Sequence, residues 1–181
     1  RTSPKTQAAL LEAMQEFAVT YAGTTYPLER PFFILATQNP IEQAGTFPLP
    51  EAQLDRFLLY IKIGYPTAED ERKILSSTTG VKQDRIQKVI RGEKILEAQK
   101  CVRQVHISEE LIGWVSELVR NTRPDTSADL FIKEWVRWGA GPRAGQAMII
   151  TAKARALLHG RFAVTQEDIR SVAFPVLRHR I

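Results

Sequence analysis

Cysteine is almost missing from this chain. Cys101 is the only one, so no internal disulfide can form, and a reducing, cytoplasmic setting is the expectation. Histidine is scarce as well. His106, His159 and His179 are scattered along the sequence, and with a single cysteine they make no metal-ligand cluster. No nucleophile–histidine pairing is supported by spacing. No apolar run approaches the ~18 residues that a membrane-spanning helix needs, and no signal-peptide pattern is present. Repeats and low-complexity tracts are absent too. The chain opens on Arg1 with no methionine, and it is expected to belong to something longer.

What is there is enough for a real core: 181 residues, 44% of them hydrophobic, fitting one domain or two small ones. The formal net charge of +5 is unevenly spread. Residues 1–65 carry 5 Lys/Arg against 6 Asp/Glu, a net of −1, and residues 66–181 carry 20 against 14, a net of +6. Such a basic half suits phosphates, nucleic acid or acidic partners, or is simply a solvated helical surface.

The stretch Phe32-Phe33-Ile34-Leu35-Ala36-Thr37-Gln38-Asn39-Pro40 reads as a short strand buried on both faces, bounded by Pro31 and Pro40. In open α/β sheets ligands bind beyond the carboxyl ends of strands. Asn39 therefore stands where a polar side chain can meet a ligand, or it is the first half of an Asn-Pro turn. Upstream, Ser3-Pro4 is a helix start, and Leu10, Leu11, Met14 and Phe17 follow at helical spacing. Ala22-Gly23 reads as the turn of a hairpin between 18–21 and 24–26. After a proline-rich loop and a short helical segment at 51–56, Phe57–Ile63 reads as a second buried strand.

Gly64-Tyr65-Pro66 marks a change of class, and beyond it only helices and loops are expected. Thr67, Ser108 and Thr165 are placed as helix caps, the last with Asp168 and opening a short helix that ends before Pro175. Phe131, Trp135 and Trp138 form an apolar stripe and read, with Trp114, as core. Gly139-Ala140-Gly141-Pro142 launches a long helix running to His159, stopped by Gly160.

Two arginines stand out. Arg143 lies just inside that long helix, whose N-terminus is positive and attracts anions; it either shares a phosphate with the helix end or is an ordinary solvated side chain. Arg56, wedged between Leu54-Asp55 and Phe57, either projects its fork toward a phosphate or pairs locally with Asp55 or Glu51. Arg170, Arg178, His179 and Arg180 make a basic terminus, read as solvated or touching a partner.

Together these pieces resemble the MoxR group of AAA+ ATPases. The resemblance is carried by Arg1-Thr2-Ser3-Pro4-Lys5-Thr6-Gln7, Leu10–Glu16, Ala36-Thr37-Gln38-Asn39-Pro40, Leu54-Asp55-Arg56-Phe57 and Gly139-Ala140-Gly141-Pro142-Arg143-Ala144. It implies a partial α/β P-loop NTPase core over 1–64, followed by an all-α lid over 65–181. It also implies roles: Asn39 as sensor 1, Arg56 as an arginine finger offered to the neighbouring subunit's nucleotide, Arg143 as sensor 2. The hairpin matches the insertion before sensor 1. ATP and Mg²⁺ follow as cofactors of the parent protein, with self-association into a ring, a hexamer by resemblance, and client proteins as partners. Nucleic acid is not expected as a partner, although a nucleic-acid motor or loader, or an inert interaction module, are alternatives.

The departures from the family pattern matter as much. The chain contains no G-x-x-x-x-G-K-[ST] loop to cradle phosphates and no apolar strand ending in Asp-Glu to hold Mg²⁺. The chain alone is therefore expected to lack ATPase activity. In the family's sheet the phosphate-loop strand separates the two strands found here. Their edges are then expected to be bare, so that the chain rearranges or self-pairs, or the lid alone is well ordered.

Overall fold

The computed structural model describes residues 4–38, 49–80 and 86–181. Asn39 and Ser3 lie outside the described residues. Helix α1 (Pro4–Glu16) is followed by strands β1 (Ala18–Tyr21) and β2 (Thr24–Pro27). Then come helices α2 (Glu51–Leu54), α3 (Ala68–Thr78), α4 (Gly92–Gln104), α5 (Glu109–Asn121), α6 (Leu130–Trp135), α7 (Pro142–Leu158) and α8 (Gln166–Leu177).

The hairpin forms as its turn residues dictate. Ala18 pairs with Pro27 and Tyr21 with Thr24. Ala22 and Gly23 both take positive φ, 50° and 81°, the turn geometry whose twist matches that of the flanking strands. Thr20 donates to Glu12 on α1 at 2.5 Å and shares a 3.1 Å hydrogen bond with Thr25, so the hairpin leans on α1.

The core sits in the helical half. Val115 and Val119 of α5 meet Ala144, Ala147, Met148, Ala152 and Ala156 of α7, which in turn cover Ile169, Val172 and Val176 of α8. Alanines on the inner face of α7 let both neighbours approach closely, and the volume is filled by Met148 and Ile169, both fully buried. Among the described residues up to 65, only Ala13 belongs to the buried apolar set. Local signals hold where they were strongest. Thr67 accepts from the Asp70 amide and Ser108 from the Leu111 amide. Thr165 and Asp168 form a reciprocal capping box.

Three expectations change. Residues 32–37 and 57–63 form no strand; the hairpin is the only sheet among the described residues. Leu35 is 85% exposed and Ile63 89%. A strand needs a neighbouring strand for its N–H and C=O groups, and no described strand lies alongside; at 57–60 the groups that are paired go to Pro175, His179 and Arg180 instead. Trp135 is 70% exposed and Trp138 also faces outward, leaving only Trp114 packed against the core. Helix α6 is too short to carry the stripe inward: it ends at Trp135, and Arg137 stacks over the Trp138 ring at 4.2 Å. Finally, α8 does not stop before Pro175 but runs through it to Leu177.

Candidate functional site

Arg143 occupies the first turn of α7. Gly139 takes φ 70°, and the chain there is clamped to the end of α5: the Ala140 amide donates to Thr122 Oγ1 and Arg123 Nε donates to the Ala140 carbonyl, both at 2.9 Å. Gly141 then caps α7 without a side chain, and Pro142 fixes its first turn. The free amides and positive end of α7 therefore open onto the space in front of Arg143. The Arg143 side chain is 47% exposed, and its Nη1 lies 3.8 Å from Asp55 Oδ2, a loose ion pair.

Arg56 stands one residue beyond Asp55, in the turn that closes α2; its amide donates to the Gln53 carbonyl at 3.2 Å. Neither local pairing expected from sequence occurs among the described residues. Asp55 turns instead to Arg180, at 2.9 Å, and to Arg143. Nε and Nη1 of Arg56 are buried without a hydrogen-bond partner. Buried donors in that state are costly and rare.

The two arginines meet in one cleft of about 660 Å³ between the last turn of α1, the turn at 55–58 and α7. This is the size range of small-ligand sites, roughly 300–1,000 Å³. Arg103, Lys153 and Arg180 also line it, and Asp55 is the one carboxylate on its wall among the described residues. Five cations against one anion, beside a helix N-terminus, make a site for a polyanion. A polyphosphate suits the charge of this lining, and the buried Arg56 donors have no acceptor among the described residues. A metal does not fit in the same way, since no group of three or more His, Cys, Asp or Glu among the described residues is placed to hold one.

Sequence reading found Arg56 and Arg143 but missed Arg103, Lys153 and Arg180. Arg180 had a signal: Ile169, Val172 and Val176 mark the buried face of α8, and Arg180 continues their helical spacing in the turn just beyond its end. It is no solvated terminus; its side chain is 3% exposed. Burial lowers its proton affinity, and the bond to Asp55 opposes that shift. His179 beside it is also held below the ordinary histidine range by burial, against a hydrogen bond to the Phe57 carbonyl at 3.1 Å.

Comparison with known proteins agrees with this geometry. The profile described as "ATPase family associated with various cellular activities (AAA)" matches residues 1–59, and that of the "AAA lid domain" matches residues 129–181. The chain is 41% identical over its whole length to "Chaperone MoxR1" of Mycobacterium tuberculosis, covering 48% of that protein. It is 42% identical to "Uncharacterized protein YeaC" of Bacillus subtilis, covering 54% of it, and 32% identical to "Protein MoxR" of Paracoccus denitrificans, covering 57%. A crystal structure from Cytophaga hutchinsonii, of a protein named only provisionally as an ATPase, superposes with a TM-score of 0.88 at 40% identity; the match takes in all of this chain and 56% of that one. The chain thus spans about half the length of the relatives it matches. With the AAA profile over its first third, the lid profile at its end and MoxR proteins aligned along all of it, the chain belongs to the MoxR group of the AAA family.

Proposed function

We propose that this chain supplies part of the core (1–64) and the lid (65–181) of a MoxR-type ATPase, which binds and hydrolyses ATP with Mg²⁺ and uses the cycle to remodel client proteins. In this reading the parent assembles as a ring, a hexamer by resemblance, in the cytoplasm. Arg56 is the arginine finger, reaching the nucleotide of the neighbouring subunit. Arg143 is sensor 2, reading the phosphates from the lid, and Asn39 is sensor 1, orienting the attacking water. The observation that carries the reading is the cleft shared by Arg56 and Arg143, with its surplus of cations and the unpartnered Arg56 donors.

The residue chemistry suits phosphoryl transfer, where catalysis is positioning and charge neutralisation and a supplied arginine is worth ~10³–10⁵ in rate. Arginine suits the task because its planar fork is always charged and matches phosphate oxygens in pairs. Mg²⁺, when bound, would supply charge neutralisation at the phosphates; nothing in the described residues is assigned to hold it. With no phosphate loop in the sequence, the chain on its own binds ATP weakly and turns none over.

The test is steady-state ATPase activity of the full-length protein. Arg56→Ala is expected to lower kcat by at least ~10²-fold with little change in nucleotide affinity. Subunits whose own nucleotide site is disabled, but which keep Arg56, should restore activity when mixed with it. Absence of that rescue removes the finger assignment. Micromolar ATP affinity of the isolated chain by calorimetry would overturn its proposed inactivity.

A further inference from the structure

Arg180 uses every donor it has. Nε donates to Asp55 Oδ1 at 2.9 Å, and Nη2 donates to the carbonyls of Asp55 and Phe57 at 2.9 and 2.5 Å. Nη1 donates to the Leu58 carbonyl at 3.5 Å and to the Val176 carbonyl. A guanidinium carries five N–H groups, and here all five are spent: one on α8 and four on the residues flanking Arg56. The same short stretch is held to α8 and the turn after it by two more bonds, from the Tyr60 amide to the Pro175 carbonyl at 2.8 Å and from His179 Nε2 to the Phe57 carbonyl. Leu59 packs on the core beside them.

On the other side, Asp55 faces Arg143. One carboxylate thus stands between a buried arginine fixed to α8 and a half-exposed arginine at the mouth of α7. The residue next to that carboxylate is Arg56. A lysine could not replace Arg180, since a single ammonium has three donors and no planar fork.

We propose that Arg180 is a positioning residue: through Asp55 and the carbonyls of 55–58 it locks the Arg56 turn to the helical half, so that Arg56 and Arg143 move as one unit. This rests on the phosphate-handling reading given above and deepens it. The turn that carries the arginine serving a neighbour's nucleotide is hydrogen-bonded, through the residues on either side of it, to the lid that reads its own subunit's nucleotide. Release of Arg143 from Asp55 toward a phosphate leaves Asp55 to Arg180 alone, and the Arg56 turn follows the lid rather than the rest of the core.

The experiment uses the full-length protein with Arg180→Lys, Arg180→Gln and Asp55→Asn. The last keeps shape and an acceptor oxygen, should the buried-arginine variants fail to fold. Amide hydrogen exchange of the segment 56–60 is expected to rise at least ~10-fold in each, with α5 and α7 unchanged. Steady-state kinetics should show kcat down at least ~10-fold with KM within about 3-fold, and melting should stay close to wild type in Asp55→Asn. In mixed rings the loss should fall on the wild-type neighbour, as it does with Arg56→Ala, a readout that a merely structural role does not move. Unchanged exchange at 56–60 overturns the lock. Raised exchange with kcat untouched, or a loss confined to the variant's own nucleotide site, overturns the positioning. An inactive wild-type protein would refute the functional reading itself, and the exchange data would separate that failure from failure of the lock.

Discussion

Replacing Asp168 by asparagine tests the packing that aims α7 and its first-turn arginine. The Asp168 side chain is fully buried and accepts from Arg155 Nη1 at 2.6 Å, from Arg161 Nη1 and Nη2 at 2.6 and 2.7 Å, and from the amide and hydroxyl of Thr165 at 2.9 and 2.8 Å. It is the one anion joining the end of α7, the following loop and the start of α8. Asparagine keeps the shape but turns one acceptor into a donor facing donors, and leaves two cations without a counter-charge. Breaking a buried pair from one side costs about 3–5 kcal/mol. The two arginine side chains are 29% and 35% exposed, so water recovers part of the loss and the lower end, about 3 kcal/mol, applies. For a chain of this length that is a fall in Tm of about 6–12 °C, read by circular dichroism of the helices.

Acidity should reveal the same group. The Arg161 fork, joined by Thr165 and Arg155 and opposed by burial, holds the Asp168 carboxyl well below the usual carboxylate range. Its contribution is complete above the unfolded carboxylate pKa, near 4, and fades as pH falls below it. Asp168→Asn should remove that part of the acid sensitivity. A cost under about 1 kcal/mol, or an unchanged acid limb, refutes the account of this cluster.

Other outcomes follow from single sites. Gly139→Ala should destabilise by more than about 2 kcal/mol, since positive φ alone costs about 1–2 kcal/mol and the new Cβ would sit 2.4 Å from the Thr122 carbonyl oxygen; chemical denaturation measures it, and a neutral result contradicts the clamp between α5 and α7. His179 is kept neutral by burial, with Nδ1 unpartnered. The unfolded chain binds that proton more readily, so stability should fall as pH drops below about 6.5. Urea midpoints at pH 7.5 and 5.5 should diverge in the wild type and converge in His179→Gln.

How much of this was legible depended on distance along the chain. The Thr165–Asp168 box and the Gly139–Pro142 launch of α7 are written within a few residues, and both formed as read. Arg56 and Arg143 were marked by their immediate neighbours, yet their meeting in one cleft was not, because it depends on 86 intervening residues folding α7 back toward α2. Phe32–Thr37 and Phe57–Ile63 had the composition of strands, but composition cannot state whether a partner strand is in reach. Trp135 and Trp138 have core-like chemistry and lie outside the core because α6 stops too soon. Arg180 was hidden by its company: beside Arg178 and His179 it read as a charged tail, while its helical phase with Val176 put it inside.

The alanine face of α7 has a mechanical consequence. Residues without branches or long stems leave no slack between α5, α7 and α8, so the three helices have no alternative way to interlock and must tilt together. Seventeen residues in α7 make a rod of about 25 Å. Pivoted at the end that holds Arg143, a rotation of about 5° carries the opposite end through about 2 Å. A small tilt at the Arg143 end is thereby magnified at the far end of the rod.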